Sequence, residues 1–492
     1  MNGLTNCISE YSRIYQFAKL YLFAAVTIFS CPLAMTDGAA RLTEVHGDEF
    51  LKKRAFSRLI SRDPNYYSTS GQWMTERTGG SDVSMTSTIA VPVTKEELNP
   101  TEDKSLLEHF PGNHDKFYKL SGYKFFTSAT TSGIAYALGR IQSNNELQMG
   151  NKGLSCFYIE VKPNNQEEDY YHFPSNPKEP SGKHSSIEVL KLKEKLGTKA
   201  VPTAELILNQ TPGYIIGERN KGISTIAEMF NITRIHNAVS SCALYRRALM
   251  LAVDFASKRV AFGKKLKEHA LHVSTVARVQ SEYEACMQIT FYCIALLGER
   301  ELGLISKAKL GVYRLLLPLI KLYTAKACVR GISECLECLG GTGYMEDSGV
   351  PRLLRDAQVL PIWEGTTNVL SVDVLRVLAS NPTVLNEFFA EIARNCEHSH
   401  SELAPSIKKI HNILTNLKTL HINISNNGNQ SSVESIARDF SYSLATVFAA
   451  GLMIKHAQWA SQNLSPQGAS AAVVSATIYV EVNNSHFYFI SS

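Results

Sequence analysis

Charge is scarce in this chain. Only 19% of its 492 residues are Asp, Glu, Lys or Arg, and the formal net charge is +5. No long Lys/Arg block accompanies that small excess, so charge gives no ground for a nucleic-acid binder. A hydrophobic share of 44% excludes a largely disordered chain and leaves ample apolar surface for cores. A membrane-length apolar run is missing as well. Leu20 to Met35 (LYLFAAVTIFSCPLAM) resembles a signal-peptide h-region but is too short for a comfortable bilayer span. Arg13 and Lys19 are the only cations before it, against Glu10, and TDGAARL continues as if into a packed domain. A buried helix is the preferred reading, over a signal or an anchor. The first residues are too poor in Arg for a visible mitochondrial transit peptide.

Several enzyme signatures are also lacking. The G-x-G at Gly341-Thr342-Gly343 is followed by Tyr344-Met345-Glu346 and not by a third glycine. It also follows a helical pattern, so the dinucleotide fingerprint fails. Gly80-Ser81-Asp82 lacks the second flank of G-x-S-x-G, and there is no H-E-x-x-H. Hydrolase and zincin readings drop out. The ten cysteines are irregularly spaced, and several fall in apolar helical stretches where a thiol acts as a small hydrophobe. Cys335 and Cys338 form a C-x-x-C with no second pair and no His at ligand spacing. Two helical thiols is the reading preferred over a redox pair or half a zinc site, and no metal is expected. Reduced thiols fit an intracellular protein, mitochondrial or cytoplasmic. Repeats and coiled-coil runs are absent.

What is present suggests two to four domains. Residues 1–69 read as helical, with Tyr15, Ala18, Leu22 and Ala25 at helical spacing and Phe50, Leu51, Ala55, Leu59 and Ile60 following. Residues 70–214 change texture to short β-branched and aromatic runs such as SMTSTIAVPV, YKLSGYKFFTS and LSCFYIEV, broken by turn residues. That predicts a central β-barrel or sandwich domain, with a polar, Pro-rich loop at 164–184. Residues 215–380 return to helix. Val276, Val279, Tyr283, Cys286, Met287, Thr290 and Ile294 mark one apolar stripe, and Leu310 to Leu339 another long helix with Gly331 as a weak point. Residues 381–492 read as a helical extension, interrupted at 425–432 (SNNGNQSS), whose last thirty residues lose helical character and end in HFYFI. Helices, then strands, then helices is an α+β multidomain order. It excludes a doubly wound sheet.

Three stretches combine glycine with polar residues in a way suited to chemistry. Met74-Thr75-Glu76-Arg77-Thr78-Gly79-Gly80-Ser81-Asp82-Val83 pairs adjacent glycines, which let backbone N–H groups approach a ligand, with the hydroxyls of Thr75 and Ser81. A plain turn would look the same. Arg259-Val260-Ala261-Phe262-Gly263-Lys264-Lys265-Leu266 closes a predicted helix, where cations complement the C-terminus in any case. The third runs from Leu339-Gly340-Gly341-Thr342-Gly343-Tyr344 through Pro351-Arg352-Leu353-Leu354-Arg355-Asp356 to Ile362-Trp363-Glu364-Gly365-Thr366-Thr367-Asn368. A Glu beside Trp363 and before a Gly-Thr-Thr turn suits an apolar pocket that raises a carboxyl pKa toward general-base duty. Thr367 or Asn368 would cap the helix that follows.

Together, and in this order, these segments resemble the acyl-CoA dehydrogenase family. The likeness runs from about Cys31-Pro32-Leu33-Ala34-Met35-Thr36 to Arg376, and includes LGTKAVPTAE at 196–205 and Ile216-Gly217-Glu218. The helical extension and the Pro-Arg-Leu-Leu-Arg-Asp lead-in to Trp-Glu-Gly are most similar to the bacterial alkylation-response (AidB-type) branch and its animal relatives. The resemblance implies a helical domain, a β barrel and a helical bundle, with FAD between barrel and bundle and part of its site supplied by a second subunit. It implies Glu364 as the catalytic base. Met74, Thr75, Gly80 and Ser81 would form the flavin-side loop, with Phe125 and Thr127 as further barrel contacts. Arg259 and His269 would reach the neighbour's FAD, Glu337, Gly340 and Gly341 would form a cross-subunit loop, and Thr366, Thr367 and Asn368 would follow the base. Ser81, Asn231 and Arg234 would lie near substrate.

The implied activity is dehydrogenation of fatty acyl-CoA thioesters to trans-2-enoyl-CoA, with electron-transferring flavoprotein as acceptor and a homodimer or homotetramer as the assembly. The alternative is an AidB-like flavoprotein that acts by binding, in DNA protection or acyl-CoA sensing. DNA is not favoured, because 383–460 intersperses its cations with Glu387, Glu391, Glu397, Glu402, Glu434 and Asp439. Phe125 stands where the family usually has Trp, and Glu337 where Gln is common. On this resemblance, the front of the first helical domain is expected to be shortened relative to the family.

Overall fold

The computed structural model describes residues 9–94, 114–143, 146–161, 171–172, 186–397, 401–427 and 430–482, with backbone alone at 114, 171–172, 424–427 and 430. The described residues form two compact units: those within 26–233 in the first, and those within 9–25 and 234–482 in the second.

After α1 (Ser12–Phe23), which belongs to the second unit, the first unit holds α2 (Thr27–His46), short helical turns through Leu59, and nine strands among the described residues. These are β1 (Ser70–Trp73), β2 (Ile89–Pro92), β3 (Phe117–Ser128), β4 (Ile134–Ser143), β5 (Glu146–Leu147), β6 (Leu154–Glu160), β7 (Tyr171–His172), β8 (Ile187–Leu192) and β9 (Thr203–Ile216). β2 pairs antiparallel with β3, β3 with β9, β9 with β6 and β6 with β4, while β4 returns to β2 in parallel. That circuit closes on itself, which makes the sheet a barrel and removes the free edges of its five strands. Strand alternation then sorts side chains into two cores. On β4, Ala135 and Ala137 join Trp73, Leu120, Phe157 and Leu206 in one cluster. Their neighbours Ile134, Tyr136 and Leu138 join Ala39, Leu42, Leu59, Tyr214 and Met229 in the other. Both faces of β6 and of β4 as far as Arg140 are therefore buried, and Ile134–Leu138 reads as a continuous apolar run. Most of the polar loop expected at 164–184 lies outside the described residues.

The boundary between the units falls within α3 (Gly222–Lys258). The second unit contains α1 (Ser12–Phe23), α4 (Ala270–Glu301), α5 (Lys307–Cys338), α6 (Pro351–Ala357), α7 (Thr367–Ser380), α8 (Val384–Asn395), α9 (Ala404–Asn427), α10 (Gln430–Asn463) and α11 (Pro466–Val482). α5 is its centre: Leu315 through Ala325 are buried without a break, so no face of that stretch meets water. On α4, Val279, Tyr283, Cys286, Thr290 and Ile294 are buried as the apolar stripe requires. Cys335 and Cys338 are both α5 residues with free thiols, and burial pushes them up to about 12 and about 11.

Four expectations need correction. The buried face of α1 is Arg13, Phe17 and Leu20, while Tyr15 and Leu22 are exposed. Arg13 turns inward because its guanidinium pairs with Glu301 at 2.6 Å, a partner far along the chain. Leu20–Met35 is not one buried helix: it is divided between α1 and α2, with Leu22, Phe23, Ile28 and Phe29 exposed. No helix among the described residues is long and apolar enough to cross a membrane. Gly331 does not weaken α5, which runs straight through it; a Cβ there would lie 2.0 Å from Tyr245 Cζ, so the glycine admits a tyrosine. Finally, the last thirty residues are not irregular throughout. Their Ala- and Val-rich part forms α11, whose Tyr479 hydroxyl meets that of buried Tyr323 at 2.7 Å. HFYFI lies outside the described residues.

Candidate functional site

Barrel residues singled out in the sequence gather around one tight turn. Glu76 and Gly79 exchange backbone hydrogen bonds of 3.0 and 3.2 Å. A Cβ on Gly79 would sit 1.9 Å from the Asp82 carbonyl oxygen, so only glycine closes this turn. Gly80 backs onto Thr75, and the Thr75 carbonyl accepts the Phe125 N–H at 2.9 Å, which ties the loop to β3. Beneath the turn lies a buried ion pair. The Glu76 carboxylate accepts from Lys124 Nζ at 2.8 Å, from the Ser87 N–H at 2.6 Å and from the Ser87 hydroxyl at 2.7 Å. Burial alone would raise its pKa, but the Lys124 charge and these donors outweigh it and hold it at about 2.

The individual roles differ from one residue to the next. Met74 is buried and belongs to the core, whereas Ser81 is exposed. Thr127 is buried, and its hydroxyl donates to the Ala204 carbonyl at 2.8 Å, bracing β3 against β9. Phe125 is half-buried, with the Lys193 ammonium 3.1 Å from its ring centroid. Asn231 is half-buried on α3, one turn before Arg234.

In the second unit, α3 ends at Lys258 and the following segment is a hairpin rather than simply basic helix capping. Strands Val260–Ala261 and Lys264–Lys265 pair around Phe262 and Gly263, which have φ of 52° and 82°. Phe262 at the tip is 97% exposed, Arg259 at the base is exposed, and a His269 ring nitrogen lies 3.1 Å from the Ala261 carbonyl oxygen. The Gly340–Tyr344 turn follows α5. Nothing lies within 4 Å of where a Cβ on Gly340 or Gly341 would be, so this turn presents bare backbone. Glu337 is exposed on the last turn of α5.

Glu364 occupies the turn before α7 in a left-handed conformation, φ 57°, followed by Gly365 at φ 99°. A Glu pays a steric penalty there that Gly does not, and such residues persist only where their surroundings over-determine them. Thr366 rather than Thr367 or Asn368 takes the N-cap position of α7, and no side chain caps the helix. Thr367 is buried, and Asn368 accepts from Arg438 at 2.8 Å. The surroundings of Glu364 are not simply apolar, as Trp363 had suggested. Lys321, fully buried on α5, donates from Nζ to the Gly365 carbonyl at 2.5 Å. Burial lowers the Lys321 ammonium to about 7, partly offset by the nearby Glu364 charge and reinforced by that of Arg234. Arg234 in turn pairs with Asp373 of α7 at 2.9 Å.

The second unit thus brings Arg234 and Glu364 together, joined by Lys321 and Asp373, which sequence reasoning missed. A lysine inside the run LLLPLIKLYTAKA was the available signal.

Residues 220–379 match the family model described as the C-terminal domain of acyl-CoA dehydrogenase, and 383–480 the one described as acyl-CoA dehydrogenase 11 C-terminal domain-like. The chain is 39% identical over 456 residues to acyl-CoA dehydrogenase family member 11 of Caenorhabditis elegans, covering 90% of this chain and 68% of that one. It is 30% identical to the putative acyl-CoA dehydrogenase AidB of Escherichia coli, covering 76% of this chain and 62% of the relative. Among solved structures, C. elegans ACDH-11 in complex with C11-CoA superposes with a TM-score of 0.82 at 37% identity, covering 94% of this chain and 74% of that one. A Bacillus anthracis acyl-CoA dehydrogenase complexed with FAD shares the fold, with a TM-score of 0.72 at 16% identity over 93% of this chain and 74% of its own.

Proposed function

The chain belongs to the acyl-CoA dehydrogenase family, and from that premise we propose that it oxidises fatty acyl-CoA thioesters to trans-2-enoyl-CoA, with Glu364 as the base. The observation that carries this reading is the Glu364–Gly365 turn. A Glu is held in a left-handed backbone conformation in a turn whose next carbonyl, that of Gly365, is bonded by a buried lysine, an arrangement that ordinary helix capping does not need. C11-CoA in the ACDH-11 structure supports an acyl-CoA as the ligand here.

The family's cofactor is FAD, and the residues present fit it. In the second unit, Gly340 and Gly341 leave open space over the backbone and Arg259 is an exposed cation suited to a pyrophosphate; in the first, Phe125 offers an aromatic face beside the Thr75–Gly80 loop. When bound, FAD supplies the two-electron acceptor for the hydride that leaves the acyl β-carbon. The chain's own task is to hold the thioester and to take the α-proton. Glu364 accepts that proton on its carboxylate as the C–H electron pair becomes the new Cα–Cβ π bond. Arg234, anchored by Asp373, keeps a positive charge near the base. Met74, Thr75, Gly80, Ser81, Phe125 and Thr127 are proposed for the flavin side, and Ser81, Asn231 and Arg234 for the substrate side. Arg259, His269, Glu337, Gly340 and Gly341 are proposed to serve a neighbouring subunit's cofactor, in a homodimer or homotetramer. Thr366, Thr367 and Asn368 shape the segment after the base. Electron-transferring flavoprotein is the proposed acceptor.

The DNA-protection reading gains no particular support from the extension. Several of its cations are engaged internally: Arg394 with Glu391, Lys409 with Glu481, and Arg438 with Asn368.

The test is the absorbance spectrum of the purified protein, followed by anaerobic titration with saturated acyl-CoAs of graded length. A flavin band that bleaches on addition of acyl-CoA is expected. Colourless protein that takes up no FAD on reconstitution would overturn the reading.

A further inference from the structure

We propose that Lys321 is a positioning residue for Glu364, fixing the base-bearing turn through the carbonyl of Gly365. The inference rests on Glu364 being the base. Lys321 is the one charged side chain among the buried residues of α5. A buried ammonium is costly unless it is hydrogen-bonded and charge-compensated. Both compensations come from the same turn: Nζ donates to Gly365 O at 2.5 Å, and the Glu364 charge favours the protonated lysine. That turn is also where the backbone is strained, with consecutive positive φ of 57° and 99° at Glu364 and Gly365. On its other side Gly365 is confined by Leu370, since a Cβ there would lie 3.0 Å from Leu370 Cδ2. The peptide is thus held between an apolar wall and a buried donor, the over-determination that a left-handed Glu requires.

Among the described residues, few charged or titratable groups surround this stretch. α3 contributes Arg234, whose Nε is buried with no hydrogen-bond partner, and α7 contributes Asp373, which pairs with it. α6 contributes buried Asp356. From α10 come Arg438, bonded to Asn368, and Tyr442, whose hydroxyl reaches the Leu322 carbonyl at 3.5 Å. Glu282 of α4 is engaged with Tyr245 and Arg330. Beyond its burial, which has the largest effect, Lys321 responds to Glu364 and Arg234. Loss of the Glu364 charge would remove one of the effects that support the ammonium.

The test compares wild type, Lys321→Met, Lys321→Gln and Glu364→Gln as FAD-loaded protein. Met keeps the aliphatic length without the donor, and Gln retains a donor. In Lys321→Met, flavin content and acyl-CoA affinity should stay within about twofold of wild type, while anaerobic flavin reduction slows by about tenfold or more. Its pH profile should move upward, because an ammonium that favours the carboxylate is gone. Lys321→Gln should recover part of the rate. A readout that needs no turnover is the Glu364 carboxyl band in difference infrared, assigned by its loss in Glu364→Gln. That band should titrate at higher pH in Lys321→Met. A wild-type rate and pH profile in Lys321→Met, or an unmoved carboxyl titration, overturns the proposal. Loss of flavin or of folding in both Lys321 variants also overturns it, by making Lys321 a core residue only. A wild-type rate in Glu364→Gln instead defeats the base reading, and the two failures are distinguishable.

Discussion

At the scale of single residues, the site depends on buried charges whose partners lie far along the chain. Glu76 and Lys124 support the Thr75–Gly80 loop from below, 2.8 Å apart and almost wholly excluded from water. Removing one member of such a pair leaves the other uncompensated, so Lys124→Met should cost about 3–5 kcal/mol in urea unfolding at neutral pH. Glu76 also gives that stability a pH dependence. Its folded pKa of about 2 lies below the ordinary 4.5, so the unfolded chain binds more protons between those values. The contribution of Glu76 is therefore present above about pH 4.5 and lost as pH falls toward 2. An acid-unfolding series should show wild type losing more stability across that window than a Glu76→Gln variant. Sequence alone marked Glu76 only as part of a Gly-containing loop, and Lys321 not at all. The reason is physical: 43 positions separate Lys321 from Glu364, and a lysine in a helical pattern reads as a solvated stem until its partners are located.

At the scale of elements, apolar period and turn chemistry made most of the architecture legible. The α4 stripe, the long α5 and the order of helices, strands and helices all follow from them. Failures came where a non-local contact overrode the local pattern. Arg13 reverses the face of α1 through Glu301, and α11 forms in an Ala- and Val-rich stretch whose Ser475 and Tyr479 contact α4 and α5. Gly331 is the most testable case. An added methyl would collide with Tyr245, which is itself fixed by hydrogen bonds of 3.1 Å to the Val279 carbonyl and to Glu282. Gly331→Ala should gain intrinsic helix propensity yet destabilise the protein by about 1–3 kcal/mol, because overpacking outweighs propensity. Equal or raised stability in thermal unfolding would show that the α3–α5 contact can yield.

At the scale of the whole molecule, each unit has its own core, and the second also carries large apolar side chains in water. Phe262 is 97% exposed, Leu271 83% and Tyr344 87%. They belong to or border segments proposed to serve a neighbouring subunit, and a subunit contact would give them a partner. Phe262→Asp should leave thermal stability of the dilute subunit nearly unchanged while light scattering shifts to a smaller species with less bound FAD. An unaltered assembly would remove the hairpin from the proposed interface. Whether Glu364 performs the chemistry is decided by rapid mixing under anaerobic conditions. FAD-loaded wild type and Glu364→Gln are each mixed with the saturated acyl-CoA that reduces wild type fastest, at matched flavin content and ligand occupancy. Glu364→Gln is expected to bind both molecules but to reduce its flavin at least ~100-fold more slowly. Equal rates in the two proteins would contradict it.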